Sequence, residues 1–138
     1  MSEPRRVVLD TNTLISGVLL VESTPGQAVR KAFRDAQVLM SDASLHELID
    51  VLSRKKFDRY LTVQDREEFV HVVLTVVELV PIVTAVHACR DDADNHILAV
   101  AVNGAADVIV SGDRDLLVLH PFQGIPILTS GAYLNTHA

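Results

Sequence analysis

Four acidic side chains, far apart in the sequence, have residue types and positions suited to binding a metal ion. Asp10 and Asp113 each follow a short apolar run, whereas Glu47 and Asp94 lie early in segments with helical spacing. Two carboxylates ~4 Å apart repel by ~4 kcal/mol at an effective dielectric constant of 20, so such a cluster needs protons or a cation. Oxygen ligands without nearby Cys or paired His favour Mg²⁺ or Mn²⁺ over Zn²⁺.

The same acids also have a purely structural explanation. Asp10 precedes Thr11 and Asn12, and Asp, Thr or Asn at a helix start commonly accepts a capping backbone hydrogen bond. Acids at positions 91, 92 and 94 would be stabilised by the dipole of the helix that follows them. For Asp10 alone, capping is the more common role, whereas three acids within four positions exceed what one cap needs. The rest of the chain must decide between capping and chemistry.

Short apolar runs rich in β-branched residues predict the strands that would position these acids. The runs cover residues 7–9, 37–40, 79–83, 107–110 and 126–129. They show no alternation, which suits strands covered on both faces. Pro81 lies inside the third run and predicts an edge position or an early break, because proline has no backbone N–H.

Apolar residues at intervals of three and four predict helices between the strands. Thr24 is the expected N-cap of the second helix, Ser41 or Asp42 that of the third, and Thr62 with Asp65 resembles a capping box for the fourth. The fourth helix would bury Phe69, Val70, Val73, Val76 and Val77. The predicted helices cover about 11–20, from 25 onward, 42–52, 63–77 and 97–102, with one further turn after residue 131.

Strands that alternate with helices predict a parallel sheet with right-handed crossovers. The carboxyl ends of all its strands then lie at one edge, where ligands bind in open α/β sheets. Asp10 and Asp113 would stand directly at that edge. Glu47 and Asp94 would lie near it, because each occupies the beginning of a helix next to the edge. We therefore expect the four carboxylates to converge.

Length and composition restrict the class of protein. The 138 residues fit one domain, 1–138, and a hydrophobic content of 49% suffices for a core. A net charge of −6 argues against a uniformly basic nucleic-acid-binding surface. The single Cys89 forms no internal disulfide, and no apolar run approaches the ~18 residues of a membrane helix. We expect a soluble cytoplasmic protein without membrane association.

Four ordered motifs carry a resemblance to a known family. They are DTNTLISG near the N-terminus, SLHEL about thirty residues later, DDADNHILAVA, and ADVIVSGDRDLL. Together they resemble the PIN-domain family of metal-dependent nucleases, and most closely its toxin components of prokaryotic toxin–antitoxin systems. The match spans almost the whole chain, and its strength lies in the order of the motifs, since a DTN after a strand is weak by itself.

The resemblance implies a three-layer α/β/α sandwich with a central parallel sheet of about five strands. It also implies hydrolysis of RNA phosphodiester bonds with Mg²⁺ or Mn²⁺, an antitoxin protein as partner and, from the frequency of dimers, a homodimer. The alternative is a PIN fold that serves as a nucleic-acid-binding or assembly module with weak or lost catalysis. Carried over by motif, the catalytic acids are Asp10, Glu47, Asp94 and Asp113.

Other residues take supporting positions in the same motifs. Asp10, Asp94 and Asp113 would hold the metal, and Glu47 would orient or deprotonate the attacking water. Asn12 and Ser111 match polar supports, and Asp115 matches an accessory acid. Asp91 and Asp92 leave the register of the third acid open, and Asn95 stands where relatives often carry another acid.

A cluster of cations is the remaining functional candidate. Arg54, Lys55, Lys56 and Arg59 are four of the twelve Lys and Arg residues and fall within six positions. An acidic protein that binds RNA must concentrate positive charge somewhere. If the third helix extends to Arg54, this side chain points roughly the same way as Glu47, two turns earlier. Equally, cations there would complement the dipole at the helix C-terminus.

Overall fold

The computed structural model describes residues 5–136 and contains a five-stranded, all-parallel sheet. Its strands are β1 (Arg6–Leu9), β2 (Gln37–Met40), β3 (Glu78–Leu79), β4 (Val108–Val110) and β5 (Ile127–Leu128). They lie in the order β3-β2-β1-β4-β5, so β1 occupies the centre. All five predicted strands are present, and the parallel α/β prediction is confirmed.

Seven helices connect and cover the strands in the described part of the chain. They are α1 (Thr11–Leu19), α2 (Thr24–Asp35), α3 (Asp42–Leu52), α4 (Val63–Val76), α5 (Asp92–Asn103), α6 (Arg114–Leu117) and α7 (Ser130–Leu134). A 3₁₀ turn, Lys55–Phe57, follows α3. Among residues 5–136, no helix combines the length and hydropathy needed to cross a membrane.

Two separate apolar cores cover the two faces of the sheet, which gives three layers. Val7 and Leu9 of β1 contact one core, to which α1, α2, α3 and α7 contribute. Val8, between them, contacts the other core, which α5 and α6 complete. Successive strand side chains point to opposite faces, so a strand buried on both faces must be apolar throughout. This is why β1 reads as an unbroken apolar run.

The helix boundaries correct several sequence predictions. Ser23, not Thr24, is the N-cap of α2, since its side chain accepts a hydrogen bond from the Gly26 N–H. Ser41 is the N-cap of α3 and forms a capping box with Ser44. The predicted capping box of Thr62 and Asp65 is present at α4. Helix α5 begins at residue 92 rather than 97, because the capped acidic stretch is itself helical.

The third strand and the fourth helix also differ from expectation. β3 has two residues at the sheet edge and ends before Pro81, consistent with the break that proline imposes. In α4, Val73 is fully buried, but Val76, expected inside, is exposed. Helix α4 has apolar residues on most of its faces, but only one face can pack against the core, so Val76 stays exposed. The short α6 was not predicted, because four residues are too few to show helical spacing.

We predict that Gly26→Ala destabilises the protein, because the α2 N-terminus lies against the end of α1. A Cβ at Gly26 would lie 2.2 Å from the Leu20 carbonyl oxygen and 2.7 Å from that of Val21. Backbone atoms must then move, at a cost of ~1–3 kcal/mol or more. Gly131→Ala in α7 is the matched control, since its nearest contact would be an ordinary 3.9 Å. Equal unfolding free energies of the two variants in urea would contradict this packing.

Candidate metal and nucleic-acid site

A cavity of about 220 Å³ at the carboxyl edge of the sheet collects acids from all four motifs. Helices α1, α3 and α5 and the turn after β4 form its walls. The predicted site residues that line it are Asp10, Asn12, Glu47, Asp91, Asp94 and Asp113. The convergence expected from the parallel topology is therefore present in the structure, although the roles of the individual residues stay predictions.

Asp10 is held by two hydrogen bonds on different elements. Its Oδ1 accepts from the Thr13 N–H at 2.8 Å, which caps α1, and its Oδ2 accepts from the Ser111 hydroxyl. Ser111 is fully buried, and its Oγ also accepts from the Asp113 N–H at 3.0 Å. One serine thus links the acid after β1 to the acid after β4. Capping and membership of the acidic cavity are compatible for Asp10.

Asp94 lies among other carboxylates and has a raised pKa. Carboxylate oxygens of Asp94, Asp113 and Asp115 lie within 4.8 Å of one another. Burial, followed by the negative charge of Asp113, raises the pKa of Asp94 to about 7. Asp115 lies 3.7 Å from exposed Arg90, which offsets part of the negative charge at the rim. These oxygens fit a divalent cation that prefers oxygen ligands.

Glu47, on α3, lines the same cavity as Asp94 and Asp113. Its Oε2 accepts a hydrogen bond of 2.8 Å from the Thr11 hydroxyl, and its side chain is only partly exposed. Thr11 was not singled out from the sequence, where it resembled only a polar residue at a helix start. Its hydroxyl fixes one oxygen of Glu47 and leaves Oε1 without a hydrogen bond to any described residue.

The structure distinguishes the three acids whose register the sequence left open. Asp94 lies in the cavity beside Asp113. Asp91 lines the rim and caps α5 by accepting from the Ala93 N–H at 2.9 Å. Asp92 lines a different cavity, of about 400 Å³. Asn95 is buried and uses its amide to hold the loop before α5, with bonds to the backbone of Ala88 and Cys89.

The cation cluster divides into two pairs. All four side chains are exposed, but Arg54 and Lys56 line the acidic cavity, whereas Lys55 and Arg59 lie outside its lining. Helix α3 ends at Leu52, as predicted, so it does not extend to Arg54, and the condition under which Arg54 would point the same way as Glu47 is not met. Arg54 instead precedes the 3₁₀ turn, with its guanidinium 4.0 Å from Asp50. The turn carries these two cations to the cavity mouth.

Comparison with known proteins shows the family to which the chain belongs. The profile of the PIN domain matches residues 6–115. The chain belongs to the PIN-domain family. The resemblance drawn from the four motifs is thereby confirmed, and PIN domains are generally nucleases. Over 119 residues, the chain is 30% identical to the uncharacterised protein MJ1680 of Methanocaldococcus jannaschii, covering 83% of this chain and 74% of that protein.

Solved structures share the fold at low sequence identity. VapBC2 from Rickettsia felis, bound to a DNA fragment from its promoter, has a TM-score of 0.61 at 12% identity, covering 90% of this chain and 98% of that one. PAE2754 from Pyrobaculum aerophilum has a TM-score of 0.59 at 16% identity, covering 94% and 87%. The PIN domain endonuclease Utp24 has a TM-score of 0.57 at 18% identity, covering 91% and 85%.

We predict that Asp94→Asn stabilises the metal-free PIN domain, increasingly so as pH rises from 5 to 8. With a folded-state pKa of about 7, above the ~3.9 of an unfolded aspartate, Asp94 binds a proton in the folded state that the unfolded chain lacks. Stability of the native sequence therefore falls as pH rises through this interval. Asparagine at position 94 does not ionise, so the Asp94→Asn variant does not undergo this pH-dependent loss of stability.

The measurement is the melting temperature in EDTA at several pH values. Asp92→Asn is the matched control, because Asp92 is two residues away, exposed and outside the acidic cavity. Its difference from the native protein should not grow with pH. A melting difference for Asp94→Asn that is constant or shrinks toward pH 8 would contradict the electrostatic assignment.

Proposed function

We propose that this PIN domain is a metal-dependent endoribonuclease that hydrolyses phosphodiester bonds. The observation that carries the proposal is the single cavity in which acids from four distant motifs face two cations. The carboxylates can bind a divalent metal ion. The basic side chains of Arg54 and Lys56 can bind the phosphate backbone. A purely structural cluster of caps would not require Glu47, which caps no helix in the described chain.

Asp10, Asp94 and Asp113 are the proposed holders of Mg²⁺ or Mn²⁺, with Asp115 as an accessory acid. The short oxygen separations among Asp94, Asp113 and Asp115 make Asp115 a stronger candidate than the sequence suggested. Ser111 fixes one oxygen of Asp10 toward the sheet edge, and Asn12 offers a further polar group at the rim. When bound, such a cation lowers the pKa of a coordinated water and neutralises charge on the phosphate.

Glu47 is the proposed general base. Thr11 holds its Oε2, so Oε1 can accept the proton of the water that attacks phosphorus. Arg54 and Lys56 would hold the phosphate at the cavity mouth and stabilise the negative charge that develops on its oxygens. This division gives one side of the cavity to the cation and the water, and the other to the substrate backbone.

The biological setting is part of the same proposal. The fold similarity to VapBC2, whose complex contains a toxin–antitoxin pair, supports a toxin role with an antitoxin protein as partner. A homodimer is proposed because twofold dimers are the commonest assembly. A cytoplasmic location would give such an enzyme access to RNA.

We predict that Glu47→Gln lowers cleavage of single-stranded RNA by ~10²-fold or more while the protein stays folded. Glutamine keeps the bond from Thr11 but cannot take the proton. Glu67→Gln, at an exposed acid of α4 far along the chain, is the matched control and should keep full activity. Calorimetry should show Mn²⁺ binding retained in Glu47→Gln and weakened in Asp94→Asn. Full activity of Glu47→Gln would show that Glu47 is only a helix residue at the cavity and not the general base. Absence of cleavage by the native protein with Mg²⁺ or Mn²⁺ would instead support the alternative of a binding module with weak or lost catalysis.

We also predict that the Arg54→Gln, Lys56→Gln double variant flattens the salt dependence of RNA binding. Each phosphate contact contributes ~0.7 to the slope of log affinity against log salt for single strands, so two contacts contribute ~1.4. The Lys55→Gln, Arg59→Gln variant has the same change in charge but outside the cavity, and its slope should stay near that of the native protein. Equal flattening in both variants would refute a specific path through the cavity mouth.

A further inference from the structure

The acidic cavity also has apolar lining residues, and two of the helices that supply its acids supply two of them. On α3, Val51 follows Glu47 by one turn, and on α5, Ile97 follows Asp94 by three residues. All four side chains line the cavity. Residues spaced by three or four lie on the same helix face. Each helix therefore presents a carboxylate and then, about 5 Å further along its axis, the edge of an apolar side chain that is otherwise buried in the core.

Phe57 also lines the cavity and is the least buried of these three apolar side chains. It lies on the 3₁₀ turn and is only partly buried against the core beneath it. The Lys56 ammonium lies 5.1 Å from the centroid of its ring. Lys56 thus stands beside the aromatic ring, and Arg54 lines the same cavity. An aromatic surface with flanking cations is the combination that binds single-stranded nucleic acid.

We propose that Phe57, with Val51 and Ile97, forms a subsite for one unpaired nucleobase of the RNA, adjacent to the phosphate held beside the acids. This inference rests on the proposed function and specifies its substrate as single-stranded at the cleavage point. A cavity of about 220 Å³ has room for one base but not for a base pair. Stacking on an aromatic ring is tolerant of base identity, so the subsite selects unpaired RNA rather than a sequence.

The contact between Lys56 and the ring favours this use. Lys56 is exposed, and an exposed cation over an aromatic ring is a weak contact compared with a stacked base. A base that enters can replace the ammonium on the ring. The released ammonium then binds the phosphate of the incoming strand. One movement of the Lys56 side chain therefore exposes the ring to the base and neutralises the phosphate.

The test measures binding of a labelled single-stranded RNA decamer to variants made in the Glu47→Gln background, in which cleavage is expected to be slower by ~10²-fold or more. Phe57→Leu should weaken binding by about 5- to 150-fold, the range for loss of one stacked base. Phe57→Tyr keeps a stacking ring and should bind within about twofold of the parent. Tyr60→Leu removes an exposed aromatic three residues away, outside the cavity lining, and should bind like the parent. Thermal melts verify that each variant is folded.

A second measurement removes the base instead of the ring. A scan with one abasic nucleotide at each position should find one sensitive position next to the cleaved bond, and Phe57→Leu should abolish that sensitivity. Undiminished binding by folded Phe57→Leu, or a flat abasic scan, would overturn the subsite while RNA binding and cleavage by the native protein still upheld the nuclease. Failure of the native protein to bind or cleave any RNA would overturn both.

Discussion

Parallel pairing of β1 with β4 is the interaction on which the acidic cavity depends. The register places Leu9 beside Val110, and the Asp10 N–H continues the ladder by donating to the Val110 carbonyl. Asp10 and Ser111 are therefore neighbours at the end of adjacent strands, which allows the hydroxyl to reach the carboxylate. A slip of one residue would turn these side chains to opposite faces of the sheet. The buried apolar strands fix the register and so fix the site.

Two features reduce the repulsion among the acids: hydrogen bonds and helix dipoles stabilise three of the negative charges, and the carboxyl of Asp94 has a raised pKa. Asp10, Asp91 and Asp113 are the N-caps of α1, α5 and α6, where backbone N–H groups and the helix dipole stabilise negative charge. Asp94 also lies in the first turn of α5, but it is buried beside Asp113, and burial together with that neighbouring charge raises the pKa of its carboxyl. The fold thus tolerates the acids without a metal ion. A bound metal ion would stabilise the ionised form of Asp94, which its surroundings otherwise disfavour.

The sequence predicted the five strands and their parallel arrangement, because apolar runs such as 7–9 and 108–110 have no competing interpretation as polar-faced helices. It could not distinguish Asp91, Asp92 and Asp94 by composition. Helical geometry separates them, since positions 92 and 94 differ by about 200° around the axis and face different cavities. The position of Phe57 was also beyond reach, since it depends on α3 ending at Leu52 and on the 3₁₀ turn that follows.

A net charge of −6 is compatible with RNA binding because the relevant charges act over a short range. At physiological ionic strength, electrostatic interactions are screened beyond ~8 Å, so distant surface acids contribute little at the cavity. Within that range the phosphate would meet Arg54 and Lys56 on one side, and a cation bound by the acids on the other. Few charge contacts then hold the substrate, so contacts to the base must supply more of the affinity. A cavity lined by Phe57 as well as by acids is consistent with that division.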